Sequence, residues 1–190
     1  MKPALFILLA LFSSAFTVAA EPRAELVVRP TPHLVVGTGS GECEATELWL
    51  VDPIAHTELL LVRGRPDRDV VKVIADISAP IFAPDHQSVY FLSAAYAVTG
   101  TVKRVDLVTG MVADLIDGTS VEAIPTGPIA GLLVIDRSLI KSDEAGRSLG
   151  RDSYTWLVSP DGRPLSEIGL ADSAAAQQFR RTHLSTPTSR

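Results

Sequence analysis

Three pairs of neighbouring carboxylates, Glu42 and Glu44, Asp67 and Asp69, Asp143 and Glu144, come nearest in this chain to a spacing that does chemistry. Loop oxygens of this kind can gather round a hard cation such as calcium, but the twelve-residue acidic loop that wraps one is missing. Each pair also lies in a polar stretch, where solvation alone explains it. The four histidines, His33, His56, His86 and His183, form no His-x-x-x-His or Glu-x-x-His spacing, and the lone Cys43 adds no ligand pair. No metal site and no cofactor are expected on that basis. Gly37-Thr38-Gly39-Ser40-Gly41 is glycine-rich but lacks the lysine and the following helix of a phosphate loop, so it reads as a flexible loop between strands. There is no Gly-x-Ser-x-Gly elbow, and no serine is placed beside a base by spacing alone.

The elements that hold these residues follow from length and pattern. At 190 residues, 46% hydrophobic and 21% charged, the chain can bury a core and forms one domain or at most two small ones. A net charge of -5 leaves no broad basic surface, so nucleic acid is not an expected partner. A single cysteine excludes a disulfide framework; Cys43 is either a buried inert thiol or an exposed one that pairs between chains. Residues 1–20 open with Lys2, run apolar from Ala4 to Phe12 and end in Thr17-Val18-Ala19-Ala20. This is the pattern of a secretory signal, with an apolar run too short to span a bilayer. A periplasmic or secreted address without stable membrane insertion is expected. Thirteen arginines against four lysines, and no asparagine, suggest a GC-rich bacterial gene.

Beyond residue 20 the chain repeats. Leu48-Trp49-Leu50-Val51-Asp52 recurs as Val102-Lys103-Arg104-Val105-Asp106 and as Thr155-Trp156-Leu157-Val158-Ser159, at offsets of 54 and 53. A turn follows each copy at Asp52-Pro53, Thr109-Gly110 and Pro160-Asp161-Gly162, and then a short apolar strand. Two further β-rich runs precede each copy: Glu25–Arg29 and Leu34–Val36, Ala79–Ala83 and Val89–Leu92, Val121–Ile124 and Leu132–Ile135. Four short strands per unit in meander order predict an all-β fold. It is a partial β-propeller of about three four-stranded antiparallel blades, in units of about 24–64, 77–118 and 121–170 within a domain of 21–170. In the tail 171–190, Asp172 or Ser173 can cap a short helix over Ala174–Arg180. That helix reads as a surface tail or as a docking peptide for an acidic partner.

Ala79-Pro80-Ile81-Phe82-Ala83-Pro84-Asp85, the strand Val89-Tyr90-Phe91-Leu92-Ser93 and Val105-Asp106-Leu107-Val108-Thr109-Gly110 make the middle unit similar to the WD40-like repeat of TolB-type periplasmic β-propellers. The first unit keeps only the hairpin half, and the third carries Ser159 in place of the aspartate. The resemblance implies a fold and an envelope role; it carries over no catalytic residue. Three blades do not close a ring that needs four to eight. Association of two copies into a six-bladed ring, blades supplied by another propeller chain, or a differently wrapped all-β domain would each resolve this.

In a propeller, the loops between second and third strands share a face with those joining blades. On this chain they are 37–46, 63–77, 93–100, 117–120 and 137–152, the last being the longest of the loops between second and third strands. Loops on a rigid scaffold are where binding residues concentrate. The residues expected to contact a ligand or partner are Glu42, Glu44, Tyr96, Asp143, Glu144, Arg147 and Arg151. The leading expectation is a non-enzymatic interaction module that binds a protein or itself. The alternative is a hydrolase or lactonase using a metal held by loop carboxylates.

Overall fold

The computed structural model describes residues 24–38, 41–96 and 99–184. The expected signal segment lies outside them, as does the side chain of His33. Three antiparallel sheets follow one another along the chain, each a meander. The first holds β1 (Glu25–Thr38), β2 (Gly41–Asp52) and β3 (Thr57–Arg63). The second holds β4 (Ser78–Phe82), β5 (Ser88–Tyr96), β6 (Thr99–Asp106) and β7 (Val112–Gly118). The third holds β8 (Glu122–Ala123), β9 (Leu133–Ser142), β10 (Ser148–Val158) and β11 (Pro164–Leu170), and α1 (Ala174–His183) closes the described chain. The fold is all-β with one short C-terminal helix, in the arrangement of a partial β-propeller.

The first sheet departs from the expected strand division. Glu25–Arg29 and Leu34–Val36 belong to one strand, β1, which pairs with β2 from Glu25 opposite Val51 to Thr38 opposite Gly41, with an irregularity between Pro30 and Val35. Pro30 and Pro32 look like breakers in sequence, but proline is tolerated on an edge strand, and β1 is an edge. Among the described residues, this sheet has no counterpart of the inner strands β4 and β8.

Two cores lie between the sheets. Leu48 and Val62 of the first sheet pack with Val89, Phe91 and Val105 of the second, joined by Ile74 and Ile77 from the connection that follows β3. The opposite face of the second sheet contributes Tyr90, Leu92 and Val102, which pack with Leu133, Ile135 and Val158 of the third. The middle sheet is therefore covered on both faces, which is why β5 reads as an apolar run rather than an alternating strand. Gly118 sets the spacing of sheets two and three: a Cβ there would stand 2.8 Å from a methyl of Ile135 and 3.0 Å from one of Val102.

The repeated strand ends in a repeated turn. Asp52 Oδ1 accepts from the amides of Ile54 and Ala55. Asp106 Oδ1 accepts from those of Val108 and Thr109 and from the Thr109 hydroxyl. In the third sheet, the Ser159 hydroxyl accepts from the Arg163 amide and holds a turn one residue shorter, so the exchange of aspartate for serine keeps the device while changing its reach. The left-handed position falls on Gly110 at φ 70° in the second sheet and on His56 at φ 53° in the first. An L side chain there is strained, whereas glycine is not.

Candidate functional site

The three long loops expected between second and third strands prove to be mostly strand. β1 runs to Thr38 and β2 starts at Gly41; β5 runs to Tyr96 and β6 starts at Thr99; β9 runs to Ser142 and β10 starts at Ser148. The outer part of the third hairpin rises beyond the buried core, so it loses apolar alternation and looks like a polar loop in sequence, whereas Ala45 of the first and Ser93 and Ala95 of the second stay buried. The segment expected as a long loop over 137–152 is a hairpin arm with a five-residue tip. Asp143 builds that tip: its Oδ1 accepts from the amides of Ala145 and Arg147, and its Oδ2 accepts from Arg147 Nε at 2.7 Å. These donors hold the Asp143 carboxyl below its ordinary range, the Arg147 amide contributing most.

The expected contact residues fall into separate groups. Glu42 and Glu44 are exposed on β2, opposite Gly37 and Val35. Tyr96 is half exposed at the end of β5 and lines two shallow clefts of about 260 and 230 Å³. The larger cleft is bordered by Asp76, Tyr96 and Thr119, so the connections after β3, β5 and β7 meet at one end of the stack. Asp143 and Arg147 pair with each other, Glu144 is exposed beside them, and Arg151 lies along β10 opposite Ile140. The carboxylates of Glu42, Glu44, Asp143 and Glu144 do not converge: the first two sit on the first sheet and the others on the third. Among the described residues no group of three or more His, Cys, Asp or Glu is placed to hold a metal ion.

The hairpin arm does present several exposed side chains. Ile140 and Leu149 are 59% and 66% exposed on its two strands, Arg147 is 82% exposed at its tip, and Lys141 pairs with Asp152 along its flank. At its base Arg137 bonds Asp117 at 2.6 Å and stacks over Trp156 at 5.6 Å, tying the arm to β7 of the neighbouring sheet. The paired acids Asp67 and Asp69 cap backbone amides of their own loop. His56 and His86 occupy left-handed turn positions, and His183 rests against Phe179 with ring centroids 4.5 Å apart.

Two polar clusters escaped the sequence reading. Lys103 is fully buried on β6 and gives hydrogen bonds to the Val71 carbonyl at 2.6 Å and to Asp114 Oδ1 at 2.5 Å. Burial pushes its pKa below the ordinary lysine value, and Asp114 only partly offsets that. The second cluster joins α1 to the third sheet. Ser173 caps the helix by accepting from the Ala176 amide, and Arg180 reaches Asp136, Glu122 and Thr155. The helix capped by Ser173, with Arg180, Arg181 and His183 in its last turn, matches the expected one. Its acidic partner is the chain's own sheet.

No family model and no curated protein matches this chain. Among solved structures it resembles the acylaminoacyl peptidase of Pyrococcus horikoshii at 13% identity and a TM-score of 0.44, over 65% of this chain and 20% of that one. It also resembles an acylaminoacyl peptidase in complex with Z-Gly-Gly-Phe-chloromethyl ketone at 16% identity and a TM-score of 0.37, over 77% of this chain and 25% of that one. The chain thus spans a quarter or less of the length of these structures.

Proposed function

We propose that this protein is a non-enzymatic interaction module of the TolB-like propeller kind, exported to the periplasm, which engages a partner protein through the β9–β10 arm. The observation that carries the reading is the pairing of exposed Ile140 and Leu149 with Arg147 and Arg151 on one hairpin whose tip and base are both held rigid. Apolar side chains in solvent beside an arginine suit the make-up of a protein contact, whose buried centre is more apolar than the rest of the surface and in which arginine is enriched. A tip locked by Asp143 and a base locked by Arg137 keep the ordering cost of binding small. The signal-like residues 1–20 and the similarity of the middle unit to TolB-type repeats support the address.

The test is a comparative capture from a periplasmic fraction with the wild-type protein and with Ile140→Ala/Leu149→Ala. Both side chains lie outside the cores, so the double variant is expected to unfold at the wild-type temperature. A defined protein retained by the wild type and lost by the variant supports the reading. Identical captured sets from the two proteins would sink it.

A further inference from the structure

The repeat makes the third sheet comparable with the other two, position by position. The hairpin registers place Leu48 opposite Val28, Val102 opposite Leu92 and Thr155 opposite Asp136. Likewise Ile81 on β4 corresponds to Glu122 on β8, each beside the second strand of its sheet. In the first two sheets these positions face the next sheet and are apolar: Leu48 and Val28 pack against the second sheet, and Leu92, Val102 and Ile81 against the third. In the third sheet the same places carry Asp136, Thr155 and Glu122. Three core positions have become acidic or hydroxylic on one face, which would be a costly desolvation if another sheet packed there.

The face is filled by a guanidinium instead. Arg180 Nη2 lies 2.7 and 2.8 Å from the two carboxylate oxygens of Asp136, Nε lies 2.9 Å from Glu122 Oε1 and Nη1 lies 3.3 Å from Thr155 Oγ1. Asp136 is itself oriented by Thr155 Oγ1 at 2.7 Å and Ser120 Oγ at 3.0 Å. Thr155, Val134 and, on α1, Ala176 are all fully buried. A planar fork with several donors is the group that can satisfy carboxylates and a hydroxyl arranged in this way; a point-charge ammonium cannot reach them together.

We propose that the outer face of the third sheet is a built guanidinium-binding site, formed by Asp136, Glu122, Thr155 and Ser120, whose ligand is Arg180 of the same chain. The site replaces the blade-docking surface of the other two sheets. While Arg180 is seated, α1 covers the face that a fourth blade, or a second copy closing a ring, would have to use.

Chemical rescue tests this in the full chain. Arg180→Ala is expected to lower the melting temperature by roughly 5 °C, the order that follows from uncovering a partly buried charge pair in a domain of this size. Millimolar methylguanidinium should then raise the melting temperature of Arg180→Ala more than that of the wild type. Tetramethylammonium at equal ionic strength should not, and the selective rescue should vanish in Arg180→Ala/Asp136→Asn. Equal shifts in variant and wild type, rescue by both cations, or rescue that survives Asp136→Asn would each overturn the proposal. If Arg180→Ala does not fold, Arg180→Lys decides: a lowered melting temperature supports a fork-specific site, and an unchanged one overturns it.

Discussion

Lys103 is the one described residue whose charge is taken wholly out of water. Its two partners are unequal: the Val71 carbonyl comes from the connection after β3, and Asp114, about one-third exposed, comes from the outermost strand β7. The ammonium therefore staples that connection to the second sheet. Removing Asp114 leaves a buried charge with a single carbonyl, so Asp114→Ala is expected to destabilise by about 3 kcal/mol in urea unfolding. Lys103→Met should lose less, because an apolar chain of similar length fills the site and Asp114 returns to water. The pH dependence has a definite sign. The folded-state pKa of Lys103 lies below its ordinary 10.5. Between the two values the unfolded chain binds more protons, so stability rises with pH there and is lost as pH falls through the folded pKa. The gap in unfolding free energy between wild type and Lys103→Met should accordingly move in favour of the wild type as the pH is raised through that window. A gap that stays flat with pH would mean that the amine is not desolvated.

At the scale of elements, the repeated turn shows how one device tolerates different residues. Asp52, Asp106 and Ser159 each anchor a strand reversal with a side-chain oxygen, and the left-handed residue that follows is glycine in two of the three copies. His56 is the exception. Because the His56 side chain is exposed and makes no described hydrogen bond, replacing it removes strain without removing packing. His56→Gly is expected to stabilise the protein by roughly 0.5–1 kcal/mol, raising the melting temperature by about 2 °C. These turns were legible because their residue types have no other common use. The hairpin arms were not. Leu139 to Ser142 and Ser148 to Arg151 pair as strands outside any core, and a strand without a buried face leaves no alternation to read.

At the scale of the molecule, the two ends of the stack differ. On the first sheet the positions equivalent to Val89, Phe91, Val105 and Val112 of the middle sheet carry Glu25, Val27, Val51 and Glu58. Arg29 bonds Glu58 through both of its oxygens and stacks over Trp49 at 5.2 Å, and Glu47 accepts from Arg63 and from the Trp49 indole. Charge at the outer face of a terminal repeat is what keeps a stack of repeats soluble. With α1 over the other end, light scattering after size exclusion is expected to give the mass of one chain, with and without reductant. A two-fold mass would mean that α1 leaves its sheet or that the first sheet pairs with itself. The second case would be marked by loss of the dimer in Trp49→Ala.

The amino-acid order alone determined the all-β class, the three-fold repeat near 54 residues, the strand positions of the middle unit and the capped C-terminal helix. Each is written in short-range periodicity and turn chemistry, which one stretch of chain carries by itself. Tertiary structure decided three things: that Pro30 and Pro32 lie within an edge strand, that a polar segment stands up as a hairpin arm, and that Arg180 seats on Asp136 and Glu122. Those depend on which faces meet. Asp136 is 44 residues from Arg180, and Glu122 is 58. Their attraction becomes a fixed contact only once the third sheet exists to align them. Read singly, each is an ordinary polar residue; aligned with Leu92 and Ile81 of the preceding sheet, each is a charge in a core position.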